Sequence, residues 1–213
     1  TVTGPGSGKF TSAAEDQSKF LTTDDGGPAM NADVVITGLR LINGMTQTQD
    51  DDGGAIYNVE NLELAGCSLE DNTTVPTFFG GGAIFNGDTG LLSISDSSFL
   101  RNVSPSVEGG GAIYNLGAIS NITGSAFENN SATLGGGAIL NEEDGVISDI
   151  IGSSFIENSV GASASGCAIL NDGAITGITG SLFDRNACGE ISAFGGVIAN
   201  RSTGSLIGTI SET

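Results

Sequence analysis

A repeat of about 28 residues constrains the fold of this chain more than any other feature of its sequence. The hexapeptide Gly-Gly-Ala-Ile-Tyr-Asn, or a close variant of it, occurs six times at intervals of 26 to 30 residues. Its copies begin at Gly53, Gly81, Gly110, Gly136, Gly166 and Gly195. A fixed period of this length is typical of solenoids and related repeat architectures.

A second motif, Phe-x-x-Asn, alternates with the first. Its copies occupy residues 69–72 (with Leu69 in place of Phe), 99–102, 127–130, 155–158 and 183–186. Between the two motifs lies a third group of apolar residues, such as Leu62 and Leu64 in the first copy. Each repeat therefore holds three short apolar segments separated by Gly, Asn, Ser or Asp. None of these segments has the length or the 3.6-residue period of a helix.

Three short strands per ~28-residue coil predict an all-β fold, a single-stranded parallel β-helix of six to seven coils. We assign residues 31–213 to this β-helix, and we expect a right-handed coil because parallel crossovers have that hand. Equivalent residues of successive coils would stack in columns. The Ile and Phe columns would fill the interior, and the two Asn columns would form amide ladders.

The strand of the first motif is apolar on both faces. If its Ile and Asn point inward, the position between them points outward, because successive side chains of a strand alternate. The outward residues would form an apolar stripe that binds a partner, and they are Tyr57, Phe85, Tyr114, Leu140 and Leu170. Two alternatives remain: local bends can place both positions inside, or the opposite parity can leave the Ile residues outside.

Both ends of the chain suggest contacts with other copies. Residues 1–30 lack both motifs and contain both lysines, in the segments Lys9-Phe10 and Lys19-Phe20. This segment either caps the first coil or forms an arm that places Phe10 and Phe20 on the stripe of a neighbouring copy. Residues 206–210 read as a further strand, so we expect an open coil edge that favours head-to-tail pairing.

Composition excludes several classes of function. The chain has no His, which excludes serine-type triads, papain-like dyads and His-containing zinc sites. Its formal net charge of −19 argues against binding to nucleic acid or to an anionic membrane surface. The longest apolar runs have four or five residues, too few to cross a bilayer.

We predict no catalytic residue, no metal site and no cofactor. The 25 acidic residues do not recur in one column, and the four arginines lie far apart in the sequence. A polysaccharide lyase or hydrolase would require clustered acids and arginines on one face. The acidic runs 50–52 and 142–144 have the chemistry to hold calcium, but solvated turns are the simpler interpretation.

Two kinds of covalent modification are open to this sequence. Cys167 and Cys188 can form a disulfide if neighbouring coils bring them together, and otherwise they are small buried thiols like Cys67. Of five Asn-x-Ser/Thr sequons, those at Asn121 and Asn129 lie off the two Asn columns. These two are the predicted glycosylation sites if the source glycosylates its secreted proteins.

The paired motifs resemble the repeats of chlamydial polymorphic membrane proteins and of related secreted surface proteins. The resemblance covers residues 53 to about 200, and it implies an exported β-helix that serves adhesion at the cell surface or outside the cell. We therefore expect a non-enzymatic, extracellular or cell-surface structural protein. Its partners would be other copies of itself, joined head-to-tail into a filament or surface layer through the N-terminal arm and the open coil ends. The alternatives are an adhesin fragment that binds a host surface or glycan, and a polysaccharide-active enzyme.

Overall fold

The computed structural model describes residues 2–3, 11–13, 19–24, 33–46, 52–76, 78–189 and 196–212. Over these residues the protein is all-β, without helices. Parallel sheets stack into a β-solenoid of about six turns, with about 28 residues and three main strands per coil. The predicted fold class is confirmed. The hand of the coil stays a prediction.

Three long parallel sheets form the walls of the solenoid, and we number them 1 to 3 in the order in which the chain first enters them. Each coil that carries both motifs passes through sheet 3, then sheet 1, then sheet 2. The described strands of sheet 1 are Val2–Thr3, Asp33–Thr37, Asn61–Ala65, Leu91–Ser95, Ala118–Thr123, Val146–Ile151, Ala174–Thr179 and Leu206–Ser211. Those of sheet 2 are Thr11–Ala13, Arg40–Ile42, Ser68–Glu70, Ser98–Leu100, Ala126–Glu128, Ser154–Ile156 and Leu182–Asp184. Those of sheet 3 are Leu21–Thr23, Ile56–Asn58, Ile84–Asn86, Ile113–Asn115, Ile139–Asn141, Ile169–Asn171 and Ile198–Asn200.

In the middle coils the chain does not pass directly from sheet 2 to the next strand of sheet 3. It makes a detour, which we call the return segment. Its described residues are 73–76 with 78–83, 103–112, 131–138 and 159–168 in successive coils. Neighbouring return segments pair in two small parallel sheets. Sheet 4 contains Val103–Ser104, Ser131–Ala132 and Ser159–Val160, and sheet 5 contains Phe79–Gly81, Glu108–Gly110 and Gly135–Gly136.

The apolar motif residues stack in register, as predicted. Ile84 pairs with Ile56 on one side and with Ile113 on the other, and the Ile column lies in the main hydrophobic core. The Phe column begins at Phe99, and its rings are parallel with centroids 4.6 to 4.8 Å apart through Phe183. Both columns therefore fill the interior.

Two ladders of asparagines join the coils, and their members are buried except Asn186 and Asn200 at the last rung. In the first, each amide nitrogen donates to the Oδ1 of the next asparagine at 2.6 to 3.0 Å, from Asn58 through Asn200. In the second, from Asn72 through Asn186, each such distance is 2.9 Å. The same oxygens of the second ladder also accept backbone N–H groups, as Asn130 Oδ1 does from the Asn102 N–H. These bonds satisfy polar groups where water is excluded.

The residue just before the second ladder adopts a left-handed conformation in successive coils. Its φ lies between 49° and 59° at Asn43, Asp71, Arg101, Asn129, Glu157 and Arg185. This conformation carries a steric cost for residues other than Gly, so the stacked coils must stabilise it.

The described parts of residues 1–30 form a further rung of the solenoid. Val2–Thr3 pairs with the sheet 1 strand Asp33–Thr37, Thr11–Ala13 pairs with sheet 2, and Leu21–Thr23 pairs with sheet 3. This placement agrees with a cap on the chain's own first coil rather than with an arm on a neighbour. Backbone pairing does not depend on the repeat motif, which explains why a segment without the motif joins all three sheets.

Candidate functional site

The five residues of the predicted stripe lie on the outer face of sheet 3, where they form an apolar cluster separate from the interior core. The Tyr57, Phe85 and Tyr114 rings stack with centroids 5.3 and 5.2 Å apart. Tyr57 is half-buried, whereas Phe85, Tyr114, Leu140 and Leu170 are buried. The prediction of an exposed stripe is therefore wrong for these four residues.

The return segments cover this face. Strands of sheet 5 contact strands of sheet 3, and the Phe79 ring lies 5.7 Å from the Tyr114 ring. The glycines make this close approach feasible: a Cβ on Gly81 would lie 1.7 Å from the Ile84 carbonyl oxygen, and Gly110 meets Ile113 in the same way. The alternative that places both the Ile and the aromatic residue of each strand inside is also wrong. The Ala before each Ile packs in the interior core together with the Ile, whereas the aromatic position lies in the separate outer cluster.

The structure describes one of the two N-terminal aromatic residues that were predicted to bind a neighbour's stripe. Phe20 packs against the interior core of its own chain, which corrects its predicted role as a residue of an arm. Phe10 lies outside the described residues. The ammonium of Lys19 lies 5.1 Å from the centre of the Tyr57 ring, a distance suited to a cation–π contact.

One acidic cluster adjoins the covered stripe, and sequence reasoning missed it. Arg201 binds both carboxylate oxygens of Asp172, with Nε–Oδ1 at 3.2 Å, and its Nη2 lies 3.7 Å from Glu108 Oε1. The Tyr114 side chain lies beside Glu142, and the two groups interact electrostatically. Three carboxylates thus share one guanidinium. Glu142, Asp172 and Arg201 each directly follow an asparagine of the first ladder in successive coils. This column was the sequence signal that could have revealed them, whereas Glu108 lies in a return segment.

Two groups of this cluster have raised pKa values, the Glu142 carboxyl and the Tyr114 hydroxyl. Burial, and then the charge of Glu108, raise the pKa of the Glu142 carboxyl. Burial, and then the charge of Glu142, raise the pKa of Tyr114. Within the part of the chain that the structure describes, the Glu142 Oε1 atom is buried and has no hydrogen-bond partner. A buried acceptor without a partner is unfavourable, and it marks the cluster as functionally interesting.

An aromatic edge borders the same region. Phe78 is 71% exposed, Phe79 42% and Val107 48%, and the Phe78 and Phe79 ring centroids are 5.8 Å apart. We call these three residues the aromatic edge. The adjacent Phe78-Phe79 pair outside both motifs was the sequence signal that could have revealed it.

Sheet 2 differs from the acidic cluster, because Glu70 and Asp71 there are each paired with an arginine. Arg40 forms a two-pronged bond to Glu70, with Nε–Oε1 at 2.8 Å, and Ser68 also donates to Glu70. Arg101 binds both oxygens of Asp71 at 2.7 Å. The hydrogen bond from Arg40 lowers the pKa of Glu70 against the effect of burial.

The predicted modification sites have distinct surroundings. Asn129 is exposed in its left-handed turn, whereas Asn121 is half-buried and its Nδ2 donates to Ser93 at 3.1 Å. A disulfide joins Cys167 and Cys188, whose Cα atoms are 4.9 Å apart, and Cys67 is a buried free thiol. The disulfide attaches the return segment 159–168 to the following coil.

The described residues were predicted to hold no metal site and no membrane span. There, no group of three His, Cys, Asp or Glu side chains could hold a metal ion. The acidic run 142–144 lies in this part, whereas Asp50 and Asp51 lie outside it. No helix in the same residues is long and apolar enough to cross a membrane.

Comparison with protein families gives one match. The model for the Chlamydia polymorphic membrane protein repeat matches residues 124–142, which hold one Phe-x-x-Asn motif and the following Gly-Gly-Ala-Ile motif. This match over part of one repeat, together with the β-solenoid fold, makes the chain similar to the β-helix repeats of polymorphic membrane proteins. No curated protein and no solved structure gives a match.

Proposed function

We propose that this β-helix is a surface or secreted, non-catalytic scaffold that binds a partner molecule through its return segments. The observation that carries the proposal is the aromatic edge, where Phe78 and Phe79 extend into solvent on a detour from the regular coil. Binding residues are often placed on loops that a rigid framework holds, and large exposed apolar groups mark partner surfaces.

Two further observations support an extracellular location. The matched repeat family is named for membrane proteins, which suggests a surface or outer-membrane setting. Disulfides such as Cys167–Cys188 persist in oxidising compartments and are rare in the cytosol. Glycosylation at the exposed Asn129 would fit the same location.

The enzyme alternative has less support. Glu108, Glu142, Asp172 and Arg201 do gather on one face, which is the feature expected of a polysaccharide-active site. However, Arg201 is bound to Asp172, and the Oε1 atom of Glu142 is buried. The cavity beside Glu108 and Arg201 has a volume of about 280 Å³, at the small end for a ligand pocket. We propose that this cluster does not perform catalysis.

Adhesion of coated beads tests the binding function. Beads carrying the full chain should adhere to cultured epithelial cells more than beads carrying an equally acidic, unrelated protein. Adhesion no greater than that of the control beads would contradict the proposal. Release of reducing or unsaturated sugar ends from acidic and neutral polysaccharides would instead support the enzyme alternative.

Self-assembly is a second candidate, supported by the last described rung. Leu182, Leu206 and Ile210 are exposed there. A depression of about 630 Å³ opens onto the interior residues Ile178, Phe183 and Ile198. This face suits a further rung, whether from a longer chain or from a second copy. Filaments seen by electron microscopy for the wild-type chain, and lost in Leu206→Asp/Ile210→Asp, would support assembly. Single particles of both would contradict it.

A further inference from the structure

The aromatic edge combines apolar surface with a neighbouring carboxylate. Phe79 and Glu108 are paired in register in sheet 5, so their side chains lie side by side on the same face of that sheet. The Glu108 N–H also donates to the Phe78 carbonyl at 2.8 Å, which fixes the two return segments against each other. Two exposed rings and a half-buried carboxylate therefore form one rigid patch.

The charge around this patch is not balanced within the described structure. Glu108, Glu142 and Asp172 all interact electrostatically with Arg201. Arg201 forms its bidentate hydrogen bond with Asp172. The cavity next to Glu108 is lined by Arg201 and by apolar and hydroxyl groups such as Leu134 and Ser163, so one guanidinium there faces three carboxylates. A positively charged group placed here would relieve repulsion among the carboxylates.

We propose that Phe78, Phe79 and Glu108 form a docking site for a basic segment of a partner protein. An arginine or lysine of that segment lies against the Phe78 or Phe79 ring and binds the Glu108 carboxylate. Cations stack on aromatic faces, and this contact strengthens when the charge is also paired and partly shielded from water. The inference rests on the proposed binding function and names the chemistry of its partner.

Charge selects this occupant over others. The net charge of −19 attracts a basic partner from a distance and repels nucleic acid. A second copy of the chain fits poorly, because its four arginines already bind acids of their own chain: Arg40 to Glu70, Arg101 to Asp71, Arg185 to Glu157 and Arg201 to Asp172. A neutral glycan would gain nothing from the excess of carboxylates.

The test measures fluorescence anisotropy of a labelled hexa-arginine peptide against the full chain at physiological salt. Glu108→Gln and Phe78→Ala should each weaken binding about five- to tenfold. The matched controls are Glu63→Gln, which removes the same charge from the exposed face of sheet 1, and Leu91→Ala on that sheet. Each control should change the affinity less than twofold.

Three results would overturn the inference. Equal losses in Glu108→Gln and Glu63→Gln would mean that the peptide senses only diffuse charge. An unchanged affinity in Phe78→Ala would also contradict it, and this variant should fold because Phe78 is largely exposed. Binding of maltohexaose that is lost in Phe78→Ala, without site-dependent peptide binding, would indicate a glycan instead. If wild-type beads adhere to cells in any of these cases, the docking proposal fails while the binding function stands. If they do not adhere, the binding function itself fails.

Discussion

The solenoid has two charged edges: a matched edge on sheet 2, where acids pair with arginines, and an acidic edge beside sheet 3, which holds the acidic cluster. The two edges use similar residues in opposite ways. On sheet 2, Glu70 receives hydrogen bonds from Arg40 and Ser68, with Arg101 nearby, and its pKa is lowered. Beside sheet 3, burial raises the pKa of Glu142, and the charges of Glu108 and Asp172 raise it further. The first edge uses charge to join coils, whereas the second keeps an unfavourable excess of negative charge next to exposed aromatic rings. Such costly arrangements are expected where a partner binds.

The interior supports both edges, and a change there should have the largest effect. Phe127→Ala opens a cavity between the stacked rings of Phe99 and Phe155, so we expect a loss of about 4 kcal/mol in the free energy of unfolding. Urea denaturation measures this loss, and Phe127→Leu serves as a milder control. A loss below about 1 kcal/mol for the Ala variant would mean that the column is not closely packed.

Removal of the disulfide, which lies near the acidic edge, should have the next largest effect on the free energy of unfolding. Cys167→Ala/Cys188→Ser frees the return segment 159–168, so we expect a loss of about 3 kcal/mol. Thermal denaturation with and without dithiothreitol checks this. The reductant should lower the Tm of the wild type and leave that of the variant unchanged. A wild-type Tm insensitive to reductant would contradict the prediction.

On the matched edge, Glu70→Gln should destabilise the protein by about 2 kcal/mol at pH 7, since it leaves Arg40 without its partner. The folded pKa of Glu70 lies below its unfolded value. Its stabilising effect is therefore present above the unfolded pKa and is lost as pH falls through the folded pKa. Urea denaturation from pH 7 to pH 3 should show the wild type and the variant converging. A constant difference would exclude the ion pair as the cause.

On the acidic edge, Glu142→Gln should act with the opposite sign. The folded pKa of Glu142 is raised, so the folded protein binds more protons than the unfolded chain between the two pKa values, and stability falls as pH rises through that window. The amide removes this cost, and we expect a gain of about 1 kcal/mol at pH 7 that disappears below about pH 4. A loss of stability at pH 7 would abolish the contrast between the two edges.

Features that recur in every coil were predictable from the sequence, whereas features that depend on residues of one or two coils were not. Columns such as Ile84 and Phe127 were predictable, because a parallel stack places equivalent positions in contact in every coil. Burial of Phe85 and Tyr114 was not, because the cover comes from return segments whose residues differ from coil to coil. The acidic cluster was missed because the position after the first-ladder asparagine, which holds Glu142 and Arg201, carries a different residue type in each coil, and because Glu108 joins it from a return segment.

The N-terminal segment gave a related lesson. Its lack of motif residues suggested an arm, yet Leu21–Thr23 pairs with Ile56–Asn58 like any other strand. Parallel pairing needs extended backbone and available N–H and C=O groups, which many sequences supply. Motifs therefore indicate which residues fill the interior of the solenoid, but they do not define how far its sheets extend.

The central claim is that partner binding occurs at the aromatic edge and not over the whole acidic surface. The most direct measurement compares cell adhesion of beads coated with Phe78→Ser/Phe79→Ser and with Leu91→Ser/Val146→Ser, which removes two exposed apolar side chains from sheet 1. The account predicts that the first variant loses most of the adhesion seen with the wild type and that the second retains it. Equal adhesion of the two variants would contradict it.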